Sequence, residues 1–153
     1  MGKPSEWLEV LVWVSVGMFV GLGGYTFQYA EGFSYLSNNP KACINCHVMR
    51  DNYRSWLKGA HHNAATCNDC HVPHVFPANL LAKAENGWNH SFKFTFRNYK
   101  TPIEIRPVNR ARLRDNCIRC HGAQISRMES HPVKVSDDIN CVDCHTSVGH
   151  NAD

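Results

Sequence analysis

The hydrophobic pattern divides this chain into one long apolar segment and a mixed remainder. Residues 10–30 contain no charged side chain. As a helix they would be about 32 Å long at about 1.5 Å per residue, which is enough to cross a bilayer. Aromatic residues flank the segment as they do at membrane interfaces, namely Trp7, Trp13, Tyr25, Phe27, Tyr29, Phe33 and Tyr35. The pattern predicts a membrane anchor over residues 1–32, with a transmembrane helix at about 8–30.

A cleaved secretory signal is the alternative for such a segment. The apolar run is longer than the h-region of a signal peptide, and the sequence FQYA at 27–30 is a poor small-residue cleavage site. Both features favour an anchor. Gly17 and Gly21 form a Gly-x-x-x-Gly motif that permits close helix packing and self-association. A flexible glycine-rich anchor explains these two glycines equally well.

Residues 33–153 show no comparable apolar run. The longest, at 72–81, is interrupted by Pro73 and Pro77, and Gly, Pro, Asn and His are frequent. A segment of about 120 residues with this pattern cannot bury a large polypeptide core. We therefore expect a mostly α chain with extensive loops, short helices and little or no sheet.

All eight cysteines lie in four copies of Cys-x-x-Cys-His, which is the attachment motif of haem c. Zinc sites also use Cys-x-x-Cys pairs but would leave the four histidines unexplained, and a thioredoxin-type disulfide needs a βαβ context that is missing here. The motifs predict four covalently bound haems that form the core of a small electron-transfer domain. The cysteines are Cys43 and Cys46, Cys67 and Cys70, Cys117 and Cys120, and Cys141 and Cys144, and the histidines are His47, His71, His121 and His145.

Covalent haem attachment takes place outside the cytoplasm, and this predicts the topology. We expect a single-pass protein of the inner (cytoplasmic) membrane, with a cytoplasmic N-terminus and a periplasmic haem domain over residues 33–153. The formal net charge of +3 carries little information, because haem propionates would reverse it. We expect contact with the lipid bilayer and no nucleic-acid partner.

The spacing of the motifs predicts a duplicated unit. Cys43 and Cys67 are 24 residues apart, as are Cys117 and Cys141. This suggests two dihaem modules, at about 40–75 and 115–150, with an insertion between them. The insertion holds Glu85, interpreted as an ordinary surface carboxylate, and a basic stretch that we expect to pair with haem propionates, or alternatively with anionic lipid or a partner. The basic stretch consists of Arg97, Lys100, Arg106, Arg110, Arg112 and Arg114.

Six further histidines are candidates for second axial ligands: His61, His62, His74, His90, His131 and His150. His62 lies five residues before Cys67 and His150 five residues after His145, but the matching positions in the other module are not histidines. The modules therefore share haem spacing without sharing distal ligands. We expect His61 to be a solvated neighbour of His62, and His74 and His131 to be surface or propionate contacts.

Several motifs resemble one known family, the membrane-anchored tetrahaem quinol dehydrogenases of the NapC/NrfH type. They are Cys-x-x-Cys-His-x-Met at 43–49, His-x-x-x-x-Cys-Asn-Asp-Cys-His at 62–71, Pro73-His74, and His-Thr-Ser-Val-Gly-His at 145–150. The resemblance covers nearly the whole chain. The short length favours the type of the small subunit of cytochrome c nitrite reductase.

This resemblance implies a ligand for each iron. Haem 1 would take Met49, with His47 as the alternative, and its distal side would be open beside a quinol site. His71 would hold haem 2, whose other ligand would come from a partner protein. The motif histidines His121 and His145 would hold haems 3 and 4, with His62 and His150 as the distal ligands of these two haems.

The resemblance also implies an activity and a site for it. Lys83 would line the quinol site. His90 stands where some members carry an aspartate, and this histidine would either contact the quinol and accept its proton or bind the iron of haem 1. The protein would oxidise menaquinol or another quinol from the membrane pool and pass electrons through four haems to a periplasmic multihaem reductase, the cytochrome c nitrite reductase. The alternatives are a quinol dehydrogenase for another reductase, such as nitrate reductase, and a plain multihaem electron carrier.

Overall fold

A computed structural model describes residues 5–127 and 140–150 of the chain. These residues form five α-helices, and no strand occurs among them. Shorter 3₁₀ segments lie at Gly32–Leu36, Pro40–Asn45, His47–Met49 and Cys141–Asp143. The expected class, mostly α with extensive loops, is confirmed. The helices are α1 (Glu6–Tyr29), α2 (Arg50–Lys58), α3 (Cys67–His71), α4 (Ala78–Thr95) and α5 (Pro107–Ile125).

The chain divides into two compact units, Met1–Tyr35 and Leu36–Asp153. The first contains α1, a helix of 24 residues with no side chain buried within the protein, whose most apolar 18-residue window has a mean hydropathy of 1.7, so that α1 is long and apolar enough to cross a membrane. A Cβ added at Gly17 or Gly21 would meet no atom within 4 Å, so this face of the helix is open. Self-association through these glycines stays a prediction.

The second unit has very little polypeptide core. In the described part of the chain only Val72, Ala82 and Asn116 are buried. Apolar burial is the dominant favourable term in folding, and a unit of this size ordinarily buries many large side chains. The packing therefore fits a domain whose interior is supplied by cofactors, as the four motifs predict.

Helix α3 packs against α5 through one buried side chain. The Asn116 amide donates hydrogen bonds to the carbonyl oxygens of Cys70 and Val72, at 2.9 and 3.0 Å. Carbonyls at the end of a short helix such as α3 have no partner within the helix, and Asn116 supplies one. This contact joins the second Cys-x-x-Cys-His motif to the helix that carries the third.

Helix α4 is joined to the start of α5 by a polar cluster. Glu85 accepts hydrogen bonds from Arg106 at 2.6 Å and from Arg112 at 2.8 Å, while Asn86 Oδ1 accepts from Asn109 at 2.9 Å. The Arg112 hydrogen bond, followed by that of Arg106, holds the pKa of the Glu85 carboxyl below its usual value. Glu85 therefore links two helices and is not an ordinary surface carboxylate. We call these five residues the Glu85 cluster.

Candidate haem-binding site

The second and fourth motifs begin helical turns with the same cap. Asp69 Oδ2 accepts hydrogen bonds from the backbone N–H of Thr66 at 2.8 Å and from its hydroxyl at 2.7 Å, and these bonds lower the pKa of Asp69. Asp143 Oδ2 accepts in the same way from the backbone N–H of Asn140, at 3.3 Å. Both aspartates stand just before the second cysteine of their motif. This shared Cys-x-Asp-Cys pattern is a sequence signal of the duplication in addition to the equal spacing of the motifs.

The first and third motifs lie in different local structures. Cys43 lies in the 3₁₀ segment Pro40–Asn45, whose start is capped by Asn39 Oδ1 accepting from the Lys41 N–H at 2.9 Å. Cys117 and Cys120 lie within the long helix α5. The motifs therefore impose a local turn but leave the length of the helix to the residues on either side.

The first cysteines of neighbouring motifs lie against each other. A hydrogen bond from the Cys67 thiol lowers the pKa of the Cys43 thiol to about 7, and the pKa of Cys67 is raised. In the other half, burial followed by the nearby Cys141 thiol raises the pKa of Cys117 to about 11. The two halves thus bring together the sulfurs that attach two different haems.

The imidazole of His71 lies opposite that of His150. The ring centroids are 6.0 Å apart, and the ring planes make an angle of 20°. Burial, followed by the charges of His150 and His90, lowers the pKa of His71 to about 4. His71 is therefore a neutral imidazole at pH 7, which is the form that binds a metal.

A second pair of imidazoles is formed by His61 and His121. Their centroids are also 6.0 Å apart, with an interplanar angle of 88°. His61 Nδ1 lies 2.8 Å from the Val148 carbonyl oxygen and donates a hydrogen bond to it. This bond leaves Nε2 of His61 as the unprotonated nitrogen, which is the arrangement usual for a metal-binding histidine.

Both pairs have the spacing of axial ligands on one iron. Imidazole nitrogens bind transition metals at about 2 Å, and a ring centroid lies about 1 Å further out, so two opposed rings on one metal have centroids about 6 Å apart. The ring planes can turn freely about the axis, so angles of 20° and 88° are both compatible with ligation. The centroid distances therefore fit haem ligation by His71 with His150 and by His121 with His61, and the assignment of each pair to one iron is a proposal.

These ring contacts bring together other histidines than the resemblance implies, and the distal ligands themselves stay a prediction. His150 lies opposite the histidine of the second motif, where a ligand from a partner was expected, and His61 rather than His62 lies opposite His121. The His62 ring packs instead against Trp56, with centroids 5.5 Å apart and an interplanar angle of 79°.

The first and fourth motifs have no such pair. Among residues 5–127 and 140–150, no ring contact joins His47 or His145 to another histidine, and both residues are exposed. Met49 is half-buried, and its sulfur lies 3.8 Å from the amide nitrogen of Asn52. Ligation of haem 1 by Met49 or by His47 stays a prediction.

The two candidate quinol residues both lie on α4. The Lys83 ammonium donates to the carbonyl oxygen of Leu36 at 2.9 Å and to Asn38 Oδ1 at 2.8 Å. His90 is exposed as a residue, but surrounding protein atoms and the positive charge of Arg106 lower the pKa of its imidazole. The roles of Lys83 and His90 stay predictions.

The remaining polar residues have partners within the chain. His74 Nε2 contacts the Asp69 carbonyl at 3.3 Å, and His131 lies outside the described residues. In the basic stretch, Arg110 pairs with Asp143 and Lys100 with Glu104 at 2.7 Å, in addition to the arginines of the Glu85 cluster. Pairing with propionates is thus not the only role of these cations.

Comparison with known proteins places the chain among cytochromes. The family model described as "NapC/NirT cytochrome c family, N-terminal region" matches residues 3–153. The cytochrome c-type protein NrfH of Wolinella succinogenes is 35% identical over 90% of this chain and 80% of its own length, and the cytochrome c-type protein NapC of Escherichia coli K12 is 31% identical over 88% and 77%. A chain in the crystal structure of the cytochrome c nitrite reductase NrfHA complex bound to the inhibitor HQNO is similar with a TM-score of 0.65 and 27% identity, covering 91% of this chain and 88% of that chain. The chain belongs to the NapC/NirT cytochrome c family, whose members carry covalently bound haem c, and this confirms the resemblance found in its motifs.

Proposed function

We propose that this protein is a membrane-bound quinol dehydrogenase that oxidises menaquinol or another quinol and passes the electrons to a periplasmic cytochrome c nitrite reductase. The observation that carries the proposal is the inequality of the four motifs. The second and third motif histidines each face another imidazole at 6.0 Å, whereas the first and fourth do not in the described part of the chain. Two centres with paired imidazoles suit relay, and the other two are proposed for entry and exit.

Four covalently bound haem c groups are proposed, one for each motif. The opposed imidazoles support His150 as the second ligand at the second motif and His61 at the third. The exposed His145 of the fourth motif suits a surface that meets a partner, so a ligand supplied by the partner belongs here rather than at the second motif. The first motif, with Met49 or His47, is proposed as the entry.

Quinol oxidation yields a quinone, two protons and two electrons. A haem iron accepts one electron and no proton, so the protein must receive the protons on other groups. Lys83 and His90 are proposed for hydroxyl contact and proton acceptance. The lowered pKa of His90 keeps its imidazole neutral at pH 7, which is the state that can take a proton.

The membrane topology is part of the same proposal. Helix α1 would span the inner membrane with the N-terminus in the cytoplasm, and the haem domain, built as two dihaem modules, would lie in the periplasm. The length and hydropathy of α1 support the span, and covalent haem supports the periplasmic side for the domain.

A second candidate is a quinol dehydrogenase that serves another periplasmic reductase, such as nitrate reductase. The 31% identity to a NapC protein favours it, whereas the 35% identity to an NrfH protein and the similarity to the nitrite reductase complex favour nitrite. A plain electron carrier would have four fully ligated haems and no site sensitive to a quinol-site inhibitor.

The deciding experiment is purification of the holoprotein from its native membranes in mild detergent. Co-purifying proteins are identified, and menadiol-driven reduction of nitrite and of nitrate is measured with and without HQNO. The proposal requires HQNO-sensitive nitrite reduction. Nitrate reduction alone would select the second candidate, and haem reduction by menadiol that is slow and insensitive to HQNO would select the plain carrier.

A further inference from the structure

The Lys83 ammonium is held by a short segment of backbone and one amide. Its nitrogen lies 2.9 Å from the Leu36 carbonyl oxygen, 2.8 Å from Asn38 Oδ1 and 3.4 Å from the Ser37 carbonyl oxygen. An ammonium has three N–H donors, and these three acceptors match them. Two of the contacts are short, and the contact to Ser37 is near the limit for a hydrogen bond.

The same acceptors are held from the other side by Asn68. Its amide nitrogen donates to Asn38 Oδ1 and to the Ser37 carbonyl oxygen, each at 3.0 Å. Asn68 is the residue after Cys67 in the second motif and lies on α3, whereas Lys83 lies on α4. Segment 36–38 is therefore clamped between two helices by donors from both.

We propose that Asn38 and Asn68 are positioning residues that fix the Lys83 ammonium for contact with the quinol. This inference rests on the proposed function of Lys83. Two donors converge on Asn38 Oδ1, so the amide has one orientation, and the oxygen holds the ammonium in one place. The third N–H, now weakly bound to the Ser37 carbonyl, is the one that a quinol oxygen takes.

The physical gain is preorganisation. A lysine side chain has four rotatable bonds and loses much rotamer entropy when it is fixed. Here the short hydrogen bonds to Leu36 and Asn38 fix the Lys83 side chain before the quinol arrives, so quinol binding does not have to supply the free energy of ordering it. Loss of Asn38 should therefore weaken quinol use while the number of attached haems stays the same.

The test is single-turnover reduction of the detergent-solubilised holoprotein by menadiol, followed by haem absorbance over a range of menadiol concentrations. Asn38→Ala, Asn68→Ala and Lys83→Met are compared after their haem content has been measured. We expect Asn38→Ala to lower the second-order rate constant about ten-fold, with most of the change in the menadiol concentration for half-maximal rate, because ten-fold is about 1.4 kcal/mol, the order of one hydrogen bond to a charged group. Asn68→Ala should have a smaller effect in the same direction.

Two further variants separate positioning from general damage. Asn38→Asp keeps an acceptor oxygen for the ammonium and should retain most of the rate. Asn39→Ser is the matched control, because Asn39 does not contact Lys83 and serine keeps the cap on the Lys41 N–H, so its rate should equal that of the wild type.

The double variant Asn38→Ala with Lys83→Met decides the matter. If Asn38 acts through Lys83, the double variant is no slower than Lys83→Met alone. Independent, multiplying losses would overturn the inference, as would a wild-type rate for Asn38→Ala or a wild-type rate for Lys83→Met. Failure of the proposed function looks different, because the wild-type protein itself would then show no HQNO-sensitive reduction by menadiol.

Discussion

Asn116 should be a sensitive position for the stability of the haem domain. Its amide makes two hydrogen bonds, at 2.9 and 3.0 Å, to carbonyls at the end of α3, and the residue is only 7% exposed. Asn116→Ala removes both donors. A buried polar group without its partner costs roughly 1–3 kcal/mol, so the loss of both bonds should lower the free energy of unfolding by about 3 kcal/mol.

The measurement is denaturant unfolding of the solubilised holoprotein, followed by haem absorbance, for the wild type and Asn116→Ala. Asp115→Ala is the control, since Asp115 is the exposed neighbour that forms a 3.4 Å ion pair with Arg114, and exposed pairs of this kind contribute little. We expect the midpoint to fall for Asn116→Ala and to stay within error for Asp115→Ala. Equal midpoints for all three proteins would show that α3 and α5 are held together without this side chain.

Three other changes should separate ligation from packing. His61→Ala should convert one haem per molecule from low-spin to high-spin in electron paramagnetic resonance, whereas His62→Ala should leave the spin states unchanged; the reverse result would restore His62 as the ligand. Glu85→Gln should remove the part of the stability that depends on the ionised Glu85 carboxylate. Because the pKa of Glu85 in the folded protein lies below its usual 4.5, this contribution is fully present above pH 4.5 and is lost as the pH falls through the lower folded value. The unfolding free energies of wild type and variant should therefore converge as the pH is lowered. Arg97 lies just beyond the end of α4 with a positive φ of 51°, so Arg97→Gly should stabilise the protein by about 1 kcal/mol and raise the thermal unfolding midpoint; a lower midpoint would contradict this reasoning.

Local features of this protein could be predicted from the sequence because their causes are local. The apolar run predicted a helix at about 8–30, and α1 spans Glu6–Tyr29. The Cys-x-x-Cys-His motifs predicted haem attachment, and the family confirms haem c. The short apolar runs predicted a chain without a large core of its own, and the few buried residues agree.

The pairing of histidines could not be predicted, because it depends on contacts between distant residues. His61 and His62 are adjacent in sequence. The hydrogen bond that distinguishes His61 is accepted by the carbonyl oxygen of Val148, 87 residues further along the chain. The resemblance implied that His150 serves haem 3 or haem 4, and in the structure its ring lies 6.0 Å from that of His71. Spacing within a repeat indicates which residues are equivalent but does not indicate which residues meet.

Likewise, the sequence indicated a surface carboxylate at Glu85, because its partners Arg106 and Arg112 are 21 and 27 residues further along the chain. The intervening residues form the end of α4 and the connection to α5. The arginines reach α4 only because the start of α5 folds back against it. Neither the charges nor the hydrophobic periodicity within α4 predict this contact.

The close approach of Cys43 to Cys67, and of Cys117 to Cys141, has a consequence for biosynthesis. With a haem attached at each motif, these sulfurs would be thioethers and could not react with each other. Before haem is attached they are neighbouring thiols, and the Cys43 pKa of about 7 provides the thiolate that an oxidising compartment turns into a disulfide. Such a bond would join two motifs and block two haems at once. Delivery of haem to reduced cysteines before these thiols meet would avoid such a disulfide.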